Sequence, residues 1–242
     1  MPEFTYQLYG KKDSPAKLVV YLHGYNQNQK SGEAVLTEFA GLLPDSVIAA
    51  PLAETVSEKN SETRQWYSID AFDPQGKRRN PQCSTAEIME IYDTAAEQLA
   101  EQALKINHFI TKLQQQFKID DGHTYLSGFS QGAQLALYTA LTRKSVLGGC
   151  IMFSGIVAGK NRLEKELSAH PQILLMHGDA DNSILSKTHE ASRHWLLSHG
   201  LHLKSVYIPG LDHRIISSEL QTGDTISVSL NEDKGELDIK KA

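Results

Sequence analysis

The chain has 242 residues, with 24 Lys and Arg against 29 Asp and Glu, for a formal charge of −5 at pH 7. That length suits one α/β domain with a full core, burying roughly 70–75% of its unfolded surface. The acidic balance argues against a nucleic-acid binder, which would carry a basic footprint, and the longest apolar runs, such as LVVYL and QILLM, are too short to span a bilayer.

EFTYQLYG (3–10) alternates apolar and polar residues and is expected to be an edge strand. KLVVYLHG (17–24), DSVIAAPLA (45–53), HTYLSGF (123–129), GGCIMFSG (148–155), PQILLMHGD (171–179) and LKSVYIPG (203–210) are nearly continuous in apolar character. Strands covered on both faces have that composition. Helical spacing is strongest from Ile91 to Phe117, where Leu99, Ala103, Ile106, Ile110, Leu113 and Phe117 recur among Glu, Gln and Lys. Residues 131–143 and 185–198 are also helical by pattern. Strand and helix in regular alternation imply a mainly parallel central sheet with helices on both faces.

Two stretches interrupt that order. Residues 54–90 are polar, with Asp73-Pro74 and Asn80-Pro81 as turn signals and a Lys77-Arg78-Arg79 cluster. A connection this long inside a compact domain is usually functional, often a lid; the basic cluster itself is expected to be a solvated loop face. After Gln221, TISVSL alternates like a strand, and the charged NEDKGELDIKKA after it is expected to be mobile. The expected organisation is one domain over 1–220 with an insertion at 54–90, then a tail over 221–242. The first residues have no apolar run of the kind a secretory signal needs. Cys83 and Cys150 have no motif spacing and are read as reduced thiols of a cytoplasmic protein.

Gly128-Phe129-Ser130-Gln131-Gly132 follows an expected strand and opens an expected helix, which is the setting a nucleophile elbow requires. A serine held in a strained turn leaves no room for side chains two residues away, which explains the flanking glycines. The helix N-terminus behind it favours negative charge. A serine hydroxyl needs a base, and the base needs an orienting acid. MHGDADNS (176–183) follows a later strand and offers Asp179 and Asp181; IPGLDHRI (208–215) follows a still later one and offers His213. The order Ser130, acid, His213 is that of the α/β-hydrolases. LHGYNQN (22–28) closes the first long strand, and the Tyr25 amide there is a candidate oxyanion donor alongside that of Gln131; His23 is read as a structural histidine bonded to neighbouring loops. Residues 179–190 also echo a calcium loop, but Ile184 stands where that loop needs glycine. A non-catalytic binding protein on the same scaffold is the alternative that fold alone leaves open.

VYLHGY, RQWYSI, YLSGFSQGAQLAL, FSG (153–155), LLMHGDADNSI and GLDHRI, in this order and spacing, resemble the carboxylesterase and acyl-protein thioesterase family of α/β-hydrolases, over about residues 17–216. The resemblance implies Ser130, Asp181 and His213 as the triad, choosing Asp181 over Asp179. It implies Tyr25 and Gln131 as oxyanion donors and Trp66 as a substrate-binding residue near the acyl pocket. It further implies hydrolysis of carboxylic esters, acyl thioesters on proteins or lysophospholipids, without a cofactor or metal; a peptidase reading ranks below these. Four departures stand out: Asn26 replaces a family glycine, Asn182 replaces a frequent proline, residues 71–84 run long, and only IISSEL fits the family's closing helix.

Overall fold

The computed structural model describes residues 4–215 in full and 226–231 and 236–241 as backbone. The elements in chain order are β1 (Tyr6–Gly10), β2 (Lys17–Leu22), α1 (Glu33–Leu42), β3 (Ser46–Pro51), β4 (Thr55–Val56), β5 (Arg64–Gln65), α2 (Thr85–Asp93) and α3 (Ala96–Phe117). They continue as β6 (Thr124–Phe129), α4 (Gln131–Thr142), β7 (Gly149–Phe153), α5 (Lys160–Glu166), β8 (Ile173–Gly178), α6 (Lys187–Ser198), β9 (Leu203–Ile208), β10 (Ile226–Asn231) and β11 (Glu236–Lys241).

Seven strands form one sheet in the order β1-β3-β2-β6-β7-β8-β9. Only β1 runs antiparallel, against β3, and it lies at the edge, as its alternating pattern implies. Continuous apolar strands follow from having a core on each face. In β2, Leu18, Val20 and Leu22 enter one cluster, with α3 and α4, while Val19 and Tyr21 enter another, with Leu36 of α1. β9 departs from the expected buried strand: at the far edge it is only partly covered, and Tyr207 is exposed.

The helix expected over 91–117 is two helices. α2 begins at a capping box, in which the Glu87 amide donates to Ser84 Oγ and the Ser84 amide donates to the Glu87 carboxylate. It ends where Thr94 Oγ1 donates back to the Ile91 carbonyl at 2.7 Å, a local bond that competes with helix continuation. α1 and α5 answer to no helix in the sequence reading. Each buries a single residue, Leu36 or Leu163, too little to write a repeating stripe. β10 matches the expected strand after Gln221; it pairs antiparallel with β11, which falls in the charged stretch. Residues 216–225, including most of IISSEL, lie outside the described residues. Among the described residues, no helix is long and apolar enough to cross a membrane.

Candidate active site

β6 ends at Phe129 and α4 begins at Gln131, so Ser130 makes the whole turn. Its backbone sits at φ 53°, ψ −115°, a region that L-residues rarely occupy. The Ser130 amide donates to the Phe153 carbonyl at 2.9 Å, which ties the turn to β7. The glycines are there for space. A Cβ on Gly132 would lie 2.1 Å from the Leu22 carbonyl oxygen and 2.4 Å from that of His23, and one on Gly128 would lie 2.5 Å from the Gly132 backbone. Elbow and β2 therefore pack backbone to backbone.

The two later loops meet at this turn. His213 Nε2 lies 3.0 Å from Ser130 Oγ, and His213 Nδ1 lies 2.7 Å from Asp181 Oδ2. A carboxylate only accepts, so Nδ1 carries the proton and Nε2 is left to accept from the serine hydroxyl. Phe129 packs on the imidazole, with ring centroids 4.8 Å apart.

Asp181 is buried, and its other oxygen, Oδ1, accepts from the Ser183 and Ile184 amides at 2.8 and 2.9 Å. Burial pushes its pKa up, but contacts from His177 and His213 and the Ile184 amide overcome that and hold it below the usual carboxylate range. Asp179, the rival acid, instead accepts the Gly210 amide at 2.6 Å, and the Ala180 amide donates to the Leu211 carbonyl. The acid and histidine loops are thus laced together. Asp212 pairs with Arg214.

His177 is a site residue that the sequence reading missed. It is fully buried four residues before Asp181, with Nε2 3.0 Å from the Ile184 carbonyl and 3.4 Å from Asp181 Oδ2. Its signal was present as the first residue of HGDAD, one strand position ahead of the acid loop.

On the other side of Ser130 is the loop after β2. The Gly24 amide donates to Gln27 Oε1 at 2.7 Å and the Asn26 amide to the Arg64 carbonyl at 3.0 Å. The Tyr25 amide between them has no such partner among the described residues. Tyr25, Ser130 and Gln131 line a common open cleft. His23 matches its structural reading: Nδ1 donates to the Gly24 carbonyl at 2.7 Å and Nε2 accepts from the Ala53 amide at 3.1 Å. Among the described residues, no group of three or more His, Cys, Asp or Glu side chains is placed to hold a metal ion.

Residues 6–226 match the family model described as phospholipase/carboxylesterase. The chain belongs to the phospholipase/carboxylesterase family. Its fold is that of the α/β-hydrolases: it superposes on the crystal structure of esterase PE8 with a TM-score of 0.73 and 26% identity, covering 91% of this chain and 96% of that one. Acyl-protein thioesterase 1 homolog 1 of Dictyostelium discoideum is 25% identical over 173 residues, which are 71% of this chain and 70% of the relative. Esterase YpfH of Escherichia coli strain K12 is 25% identical over 210 residues, 86% of this chain and 81% of that one. With a probable carboxylesterase of Oryza sativa subsp. japonica, identity is 30% over 100 residues, which span 43% of that relative's length.

One departure from this phospholipase/carboxylesterase pattern, Asn26, has a physical reason. Asn26 adopts φ 58°, the left-handed turn that a glycine would take, and Asn tolerates it. Its side-chain oxygen also accepts from Ser57 Oγ and Thr63 Oγ1, at 3.1 and 2.7 Å, so it fastens the inserted segment to the loop after β2.

Trp66 corrects an expectation. It is 1% exposed and does not line the cleft; its Nε1 donates to the His23 carbonyl and its ring packs against His23 and Phe4. It props the loop from beneath, a placement its apolar bulk favours. The basic cluster corrects another in part: Lys77 and Arg79 are exposed as expected, but Arg78 is not. Arg78 is buried, 3.0 Å from Asp73, and both Arg78 and Arg79 line the cleft beside Ser130.

Proposed function

We propose that the chain is a serine hydrolase that cleaves carboxylic esters or acyl thioesters through an acyl-enzyme intermediate. The supporting observation is the unbroken relay from Ser130 Oγ through both His213 nitrogens to Asp181, at 3.0 and 2.7 Å. Ser130 attacks the carbonyl carbon while His213 Nε2 takes its proton and returns it to the leaving alcohol or thiol. Asp181 fixes the tautomer and stabilises the imidazolium. The Tyr25 and Gln131 amides, the latter at the start of α4, face the tetrahedral oxyanion. A water activated by His213 then releases the acid.

The test is Ser130→Ala assayed with a p-nitrophenyl ester. Turnover should fall by about 10⁴-fold or more, and a fluorophosphonate should label the parent protein at Ser130. A folded parent that resists labelling, or a variant that keeps its activity, overturns the reading in favour of a binding protein.

A further inference from the structure

The leaving group must reach His213 Nε2, which donates the proton to it. The cleft lined by Ser130, Tyr25 and Gln131 does not include His213 among its walls. If the hydrolase reading holds, this cleft takes the acyl part of the substrate.

Its chemistry is mixed in a telling way. Ile69, Phe72 and Ile184 supply apolar wall, and Phe72 lies between the rings of Tyr67 and Tyr92, with centroids 6.0 and 5.8 Å away. Arg78 and Arg79 line the same space. Arg78 is held in place by Asp73, which also accepts the Lys77 and Arg78 amides. One guanidinium N–H goes to that carboxylate, and a guanidinium carries five. Arg79 has no ion-pair partner among the described residues.

Beside them is a buried donor without an acceptor. Tyr92 is 2% exposed; the Arg78 guanidinium lies near enough to donate toward its oxygen, but no acceptor for the hydroxyl proton is found among the described residues. Buried hydroxyls are nearly always partnered, so this one invites a ligand oxygen. Burial raises its pKa to about 12 even though Arg78 and Arg79 pull the other way, so at neutral pH it is a donor. A purely hydrocarbon chain would leave this buried hydroxyl unanswered, at a cost, and would make no use of the exposed Arg79 beside it. A second carboxylate would answer both.

We propose that the cleft is an acyl pocket for short dicarboxylic half-esters or half-thioesters, whose free carboxylate is bound by Arg79, the free N–H groups of Arg78 and the Tyr92 hydroxyl. The binding groups come from the segment over 71–84 that runs longer than the family pattern and from the helix that follows it.

Methanol release from monomethyl glutarate and from methyl pentanoate tests this. The parent protein should favour the half-ester in kcat/KM by at least about tenfold, the range of one charge-assisted hydrogen bond. Arg79→Ala and Tyr92→Phe should each lower that ratio by about tenfold, with Arg79→Lys restoring part of it. Arg79 is exposed, so its replacement spares the fold. A parent ratio near one, or variants that lower both substrates alike, overturns the inference while leaving the hydrolase reading standing. That reading fails separately, if neither ester turns over and Ser130 resists the fluorophosphonate.

Discussion

The elbow at 128–132 and the segment 54–90 face each other across one cleft, and they are built by opposite means. The elbow is held by backbone against backbone: Gly128 and Gly132 leave no space for a side chain, and Ser130 sits between them at φ 53°, ψ −115°. The segment 54–90 has little regular structure and is held by side chains reaching from elsewhere. Gln131 Oε1 accepts from the Trp66 amide at 2.9 Å and its Nε2 donates to the Tyr67 carbonyl at 2.8 Å. Gln98 bonds both backbone groups of Ser68, and Gln134 accepts from the Tyr67 hydroxyl. On the proposed reading, the chemistry sits on the first construction and the walls that would select a substrate on the second. The same scaffold can then keep its nucleophile while its loop changes.

The comparison breaks most sharply at Gly132. In Gly132→Ala the new methyl lies 2.1 Å from a carbonyl oxygen of β2, and neither backbone can yield without moving the sheet. We expect a loss of more than about 4 kcal/mol in urea-unfolding free energy, or no folded protein at all. A variant within 1 kcal/mol of the parent would show that the elbow is not backbone-limited.

Asp73→Ala probes the loop by the same measurement. It strands a guanidinium whose side chain is 8% exposed and leaves the Lys77 and Arg78 amides without their acceptor. Removing one partner of a buried pair costs about 3 kcal/mol. The expected loss is therefore smaller than at Gly132, with β6 and α4 retaining slow amide exchange while 71–84 loses its protection. Uniform loss of protection would mean that the segment is not a separable wall.

This division also decides what was legible from the chain. The elbow, the two loops bearing Asp181 and His213, and six of the seven sheet strands in their expected coverage show in local patterns, because glycine spacing and continuous apolar runs are local facts. β9 was legible as a strand but not as an edge, since coverage depends on which neighbours the topology supplies. Trp66 and Arg78 were misplaced for different reasons. Trp66 is set by Gln131, His23 and Phe4, distant contacts that no window of sequence contains, whereas Arg78 is buried against Asp73, a partner only five residues away whose ion pair a turn signal hid. The break at Thr94 was local, but a single hydroxyl is a weak signal inside a strong apolar period.

His23 joins the two constructions, and its effect appears only when the pH is lowered. It follows β2, accepts from the Ala53 amide that opens the inserted segment, and packs on Trp66 with centroids 4.9 Å apart. Burial lowers its pKa to about 4, against a smaller upward pull from the Gly24 carbonyl. Unfolded, the same imidazole titrates near 6.5. Between those values the unfolded chain holds a proton that the folded chain refuses, so stability falls as pH drops from about 6.5 to about 4 and is constant above that window. The drop amounts to about 3 kcal/mol from His23 at the lower limit. His189 adds a fall of the same sign, because burial and then His177 lower its pKa to about 4 as well. His23→Gln separates the two, since an amide can still donate to Gly24 and accept from Ala53 but has no proton to gain. Urea unfolding at pH 7, 5.5 and 4.5 should show a shallower acid loss in the variant than in the parent. Parallel curves would mean that the histidine under the oxyanion-side loop becomes charged without cost, and that the inserted segment rests on the elbow less tightly than its bonds imply.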